Sequence, residues 1–294
     1  MIIDKIFIKN GRKFFFYKNQ KFYIEECNES LDLLRNIYLI SNRMYYSKLN
    51  VNTFILNNKN NFYTKKDNIN IIVLKDNGKV EVTYDNIEKY KITYNNIIKY
   101  DILNEWKNEV DVIENEILEY KKEFKFIQNS INYYIGISEN AISLLSKYKE
   151  NIVYDSIAYK YDYLSLKNDD FTNPLKFIAI NQIYNVSNYI KYLFFTNKLS
   201  YKDLKTIINN NSKEDNIILF CYLMYPNYYF SFIKDVLLNE EKEKNINYFL
   251  SNITNYRNIL IVCRNLMKIK ELKEIMWLWK ICNNQNIKIL NYQN

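Results

Sequence analysis

Apolar and polar positions alternate in short runs through the first hundred residues and then settle into a three-and-four spacing. The stretch "KFFFYKNQKFYIEEC", Lys13 to Cys27, holds two aromatic and β-branched runs about a polar turn, which predicts a hairpin. In "NESLDLLRNIYLISNRMYYSK", Leu31, Leu34, Ile37 (or Tyr38) and Ile40 fall on one helical stripe, with Asn28 or Ser30 as N-cap. Further strands are expected in "TFILNNKNNFYT" and in "INIIVLKDNGKVEVTY". There Asn77-Gly78 between alternating runs is a strong hairpin signal. After Asp101 the period changes. Leu103, Trp106, Val110, Ile113, Ile117, Tyr120, Phe124 and Ile127 predict one long amphipathic helix.

Beyond it, "YYIGISENAISLLSKY" reads as a helix, "NIVYDSIAYKYDYLSL" and "LKFIAI" as extended chain, and "NVSNYIKYLFF" as a helix. Ser200 with Asp203 opens a helix at "SYKDLKTIINN" as an Asp variant of the capping box. "NIILFCYLMYPNYYFSFI" carries no charge, but Pro226 and Asn227 interrupt it, so two buried helical pieces are expected in place of a membrane span. The last third reads as helical. The architecture expected is α+β: a β-rich lobe over residues 1–100 and a mainly helical lobe over 101–294, forming one domain overall.

Composition narrows the chemistry. The chain has no histidine, which removes Ser-His-Asp and Cys-His mechanisms and the usual general base. Cys27, Cys221, Cys263 and Cys282 lack metal-ligand spacing, so a metal site is not expected, and free thiols in a reducing, cytoplasmic setting fit. The formal net charge is +8, yet arginine is confined to Arg12, Arg35, Arg43, Arg257 and Arg264. Lysines are scattered among acids, and the excess of Asn, Lys, Ile, Tyr and Phe fits an AT-rich genome. Nucleic-acid binding is therefore kept only as a second alternative. The N-terminus lacks the apolar core of a signal peptide, and no membrane association is expected.

Three stretches, "YYIGISENAI" (Tyr133 to Ile142), "NPLKFIAINQIYNVSNYIK" (Asn173 to Lys191) and "LFCYLMYPNYYF" (Leu219 to Phe230), resemble the spore-coat (CotS-type) branch of the aminoglycoside-phosphotransferase-like family. The resemblance implies a bilobal protein-kinase-like fold. It also implies a His-Gly-Asp type loop near "SIAYKYDYLSL" and a metal-binding Asp at the end of a following strand. Here Tyr159 takes the histidine place, Tyr161 the aspartate place, Leu166 the metal-binding Asn place and Asn181 the strand-end Asp place. Asn185 stands where a further Asp is common. Asn keeps the size of Asp without its charge and cannot act as a base.

On that pattern the expectation is a degenerate, catalytically inactive pseudokinase. It would have no cofactor and would act through a protein partner, with the spore coat as a setting implied by the resemblance. Glu139 and Asn140, read as a polar helix start, and Asp162 are possible cleft residues. The alternative is an active small-molecule phosphotransferase with relocated acids, using ATP and magnesium, with Asp162 as a shifted base and Asp169 and Asp170 nearby. Lys21 or Lys13 would then be the phosphate-binding lysine.

Overall fold

The computed structural model describes residues 5–9, 11–78, 83–91, 97–120, 125–159, 172–238 and 243–268. The chain divides into two compact units. The first comprises Met1–Tyr100 with Tyr154–Gln182, the second Asp101–Val153 with Ile183–Asn294.

The first unit is built on a sheet. Strands β1 (Phe7–Lys9), β2 (Arg12–Tyr17) and β3 (Gln20–Cys27) form a meander. Its β2–β3 turn is Lys18-Asn19, both at positive φ (49° and 61°), as a tight two-residue hairpin turn requires. Strands β4 (Thr53–Phe54), β5 (Thr64–Lys66) and β6 (Ile69–Lys75) complete it in the order β1-β2-β3-β6-β4, with β5 also on β6. Every pairing is antiparallel.

Helix α1 (Leu31–Tyr46) starts where Ser30 accepts from the Leu33 amide and buries Leu34, Ile37, Ile40 and Met44. These pack with Tyr23, Ile72 and Leu74 of the sheet in one core that also takes in Tyr90, shortly after a four-residue helix α2 (Tyr84–Ile87).

The Asn77-Gly78 hairpin does not form as expected. Strand β6 already has β3 on one edge and β4 and β5 on the other, so no edge is left for a following strand. Gly78 does take φ +75°, and the Asn77 amide donates to the Val51 carbonyl at 3.0 Å and to Thr53 Oγ1 at 3.1 Å. Residues 79–82 lie outside the described ones.

The first unit also claims a second, two-stranded sheet of β7 (Ser156–Tyr159) and β8 (Phe177–Ile180). Ile157, Tyr159, Phe177 and Ala179 join the same core as α1. This differs from two continuous lobes meeting near residue 100. Lys91 bridges Ser156 and Lys99 bridges Ala179, so backbone pairing ties residues 154–182 to the chain before Tyr100.

The second unit is helical. The single stripe expected over 103–127 is carried by two helices, α3 (Ile102–Tyr120) and α4 (Lys125–Ser146), which pack on each other. Leu103, Trp106, Val110, Ile113 and Ile127 are buried as the stripe predicts. Next come α5 (Gln182–Phe195), α6 (Tyr201–Asn210), α7 (Lys213–Met224), α8 (Asn227–Leu238) and α9 (Glu243–Met267). Pro226 separates α7 from α8 as expected. Helix α7 is buried on all sides from Asn216 to Met224, which explains its apolar run without a bilayer. No helix among the described residues is long and apolar enough to cross a membrane.

Candidate functional site

Strands β7 and β8 bracket the stretch in which the resemblance places the chemistry. Their register runs from Ser156↔Ile180 to Tyr159↔Phe177, and Asp162, Asp169 and Asp170 fall between them in the sequence. Residues 160–171 lie outside the described ones, and with them Tyr161, Asp162 and Leu166. Both flanks of that segment are fastened to one strap. The Tyr159 hydroxyl donates to the Asn50 carbonyl at 2.5 Å, and the Asn52 amide N–H donates to the Thr172 carbonyl at 2.8 Å. Burial pushes the Tyr159 phenol well above its ordinary pKa, so it stays neutral and acts as a structural donor. The Asn52 side chain, fully buried beside these bonds, pairs neither its oxygen nor its nitrogen.

Asn181 ends β8 and is buried at 5% exposure, directly before α5. The next residue, Gln182, is the focus of two acids. Its amide N–H donates to Asp155 Oδ1 at 2.9 Å and its side chain donates to Glu88 Oε1 at 2.8 Å. A carboxylate at a helix N-terminus is favoured by the free N–H groups there. Asp155 and Glu88 are thus gathered on Gln182, the residue that follows Asn181. Neither was singled out from the sequence, because Glu88 is far from this segment in the chain. Asn185 is half-buried in the first turn of α5.

Glu139 and Asn140 fall elsewhere. They lie inside α4, not at a helix start: Glu139 is exposed and the Asn140 amide donates back to the Gly136 carbonyl at 2.8 Å. The expectation that they open a helix is therefore corrected. The stripe from Lys125 runs on in phase through "GISENAI", so one helix spans both stretches.

A second feature of the first unit is an open pocket of about 470 Å³, whose walls include Phe16, Lys21, Lys75, Asp76, Asn77 and Gly78. The Lys21 ammonium donates to the Tyr23 hydroxyl at 2.6 Å and lies 4.8 Å from the Phe14 ring and 4.4 Å from the Tyr23 ring. Asp76 turns its carboxylate onto the Gly78 amide at 2.9 Å. Lys13 is engaged with Glu26 at 2.7 Å. Of the two lysines considered from sequence, only Lys21 therefore lines the pocket.

Among the described residues, no group of three acidic or thiol side chains is placed to hold a metal ion. With Asn181 at the strand end as well, the described residues do not fit magnesium. Cys221 and Cys263 are buried thiols. Burial raises the Cys221 thiol and pushes Cys263 up to about 12, which makes both inert, and Cys282 lies outside the described residues.

No protein-family model and no curated protein matches the chain. Six chains of solved structures match it, among them two phosphotransferases. An aminoglycoside phosphotransferase from Alicyclobacillus acidocaldarius subsp. acidocaldarius DSM 446 matches with a TM-score of 0.57 at 8% identity, over 90% of this chain and 93% of that one. A spectinomycin phosphotransferase, in complex with ADP and spectinomycin, matches with a TM-score of 0.49 at 9% identity, over 90% of this chain and 93% of that one.

The fold is thus α+β and kinase-like, with the sheet in the N-terminal part and helices in the C-terminal part. The likeness also corrects the expectation that the chain is not an enzyme. A protein that shares its fold over 90% of its length, at 8% identity, is a phosphotransferase, so Tyr159 and Asn181, at the places the resemblance gives to a histidine and an aspartate, are no ground for excluding catalysis.

Proposed function

We propose that the chain is a small-molecule phosphotransferase whose acidic groups stand outside the family's usual positions. The observation that carries this reading is Lys21. It is a cation backed by two aromatic rings on the wall of an open pocket, beside the tight Asp76–Gly78 turn. An ammonium there suits the phosphates of a nucleoside triphosphate, and Phe16 on the same wall suits its base. Asp162, in the segment between β7 and β8, is assigned as the base. It accepts the proton of an acceptor hydroxyl as the phosphoryl group passes to that oxygen and the diphosphate leaves.

The narrower likeness to the spore-coat branch belongs to the same proposal. It rests on the three stretches quoted above and adds a setting, coat assembly with a protein partner, to the chemistry. Two of those stretches meet as packing. Tyr134 and Tyr229 stack with ring centroids 3.7 Å apart, and Tyr225 and Phe230 are buried.

The test is transfer of labelled phosphate from ATP to a panel of aminoglycosides, choline and sugars, with and without magnesium. Turnover on one acceptor is expected. It should be abolished by Asp162→Asn, and Lys21→Gln should weaken ATP binding about tenfold. A purified protein that neither binds ATP nor transfers phosphate to any panel member sinks the reading.

A further inference from the structure

The first three strands carry a surface that extends beyond the residues lining the pocket. Directly opposed residues in an antiparallel pair share a face. The register sets Phe7 against Phe14 and Lys9 against Arg12 across β1 and β2. It sets Phe14 against Tyr23 and Phe16 against Lys21 across β2 and β3. One face of the meander therefore gathers three phenylalanines and a row of cations.

The rings of Phe7, Phe14 and Phe16 cluster, with centroids 5.4, 6.1 and 5.9 Å apart. Phe14 packs against the core, but core packing does not account for Phe7, 37% exposed, or Phe16, 56% exposed. Large rings held at the surface in a group call for a partner. Lys5 sets its ammonium 5.1 Å from the Phe7 ring, Lys21 lies against Phe14, and Lys9 is exposed on the same face. The acid on the face, Glu25, is held by Arg12 at 2.9 Å, and Asp76 at the strand end meets the Tyr23 hydroxyl at 3.3 Å. Positive charge thus dominates where the rings are open.

We propose that this face binds single-stranded nucleic acid, with unpaired bases stacked on Phe7 and Phe16 and phosphates met by Lys5, Lys9 and Lys21. Unpaired bases offer flat faces to the rings while their backbone supplies the negative charge, and a duplex hides those faces. The scattered lysines of the sequence are no objection, because the strand register collects them.

The experiment is fluorescence anisotropy with a short labelled oligouridylate over a salt series, using the full chain. Binding is expected to fall with salt along a log–log slope of about −2, as about three phosphate contacts on a single strand require. The double variant Phe7→Ser/Phe16→Ser should weaken binding about tenfold or more with the slope unchanged, and Phe16→Tyr, which keeps a ring, should retain it. Lys5→Gln/Lys9→Gln should flatten the slope by about one to two.

Phe16 and Lys21 also line the pocket, so ATP is the deciding competitor. Because ATP would occupy Phe16 and Lys21, saturating ATP should weaken oligonucleotide binding without abolishing it, and the binding that remains should be lost in Phe7→Ser and in Lys5→Gln/Lys9→Gln. Full displacement by ATP assigns the face to the nucleotide and overturns it. Binding that heparin abolishes and the phenylalanine variants leave untouched reduces it to charge alone and overturns it, as does absence of binding at low salt. Circular dichroism establishes that each variant is folded before it is scored.

Discussion

A phenol at position 159 ends in a hydrogen bond that a phenyl ring cannot make. Tyr159→Phe should leave the buried Asn50 carbonyl without that donor and lower stability by about 1 to 3 kcal/mol, read from urea unfolding. No loss at all would mean that the strap is not held there. The Lys13–Glu26 pair makes the opposite kind of claim, small and dependent on pH. The hydrogen bond from Lys13, with its charge, holds the Glu26 carboxyl below its ordinary value, on a side chain open to water. Its contribution is present above the ordinary carboxylate pKa and is lost as pH falls through the lowered value. Lys13→Gln should therefore raise the Glu26 pKa toward the ordinary value in a carboxyl-detected NMR titration. An unchanged titration would remove the pair as its cause.

Among elements, α6 and α7 each begin with a reciprocal serine cap. Ser200 accepts from the Asp203 amide at 3.1 Å and donates to its carboxylate at 2.6 Å, and Ser212 does the same with Asp215 at 3.0 and 2.9 Å. Ser212→Ala should cost about 1 kcal/mol of stability, with Ser212→Thr recovering most of it, by thermal or urea denaturation. Local signals of this kind were readable without a structure: the Ser200 cap, the α1 stripe, the β2–β3 turn and the break at Pro226. Long-range facts were not. Nothing in "INIIVLKDNGKVEVTY" discloses that both edges of β6 are filled by β3, β4 and β5. The membership of β7 and β8 in the first unit depends on bridges to Lys91 and Lys99, more than sixty residues away. A three-and-four stripe keeps its phase from α3 into α4, so periodicity cannot show where one helix stops. At the candidate site, Asn181 at a strand end followed by a helix was visible in the apolar run. Asp155 and Glu88 around Gln182 were not, because their partner is fixed only when the sheet closes.

For the whole molecule, the net charge of +8 has a local meaning once the strands are paired, because Lys5, Lys9 and Lys21 meet on one face. The proposed phosphoryl transfer belongs to this scale as well, because it draws on Lys21 in the sheet and on Asp162, far along the sequence. The pocket gives a direct reading of that idea: ATP should raise the melting temperature of the wild-type chain and raise that of Lys21→Gln by clearly less at the same concentration. A shift of equal size in both would move the nucleotide away from Lys21. One packing detail bears on how such melting can be watched. Trp106 lies flat on Tyr225, with ring centroids 4.0 Å apart and planes 1° apart, and is 7% exposed. The other two indoles, Trp277 and Trp279, lie outside the described residues, and the first unit contains none. With both replaced, light absorbed and emitted at the red edge of the protein spectrum comes from Trp106 alone. A Trp277→Phe/Trp279→Phe chain would carry a single internal lamp, whose colour change on denaturation times the opening of the α3 neighbourhood while the sheet stays dark.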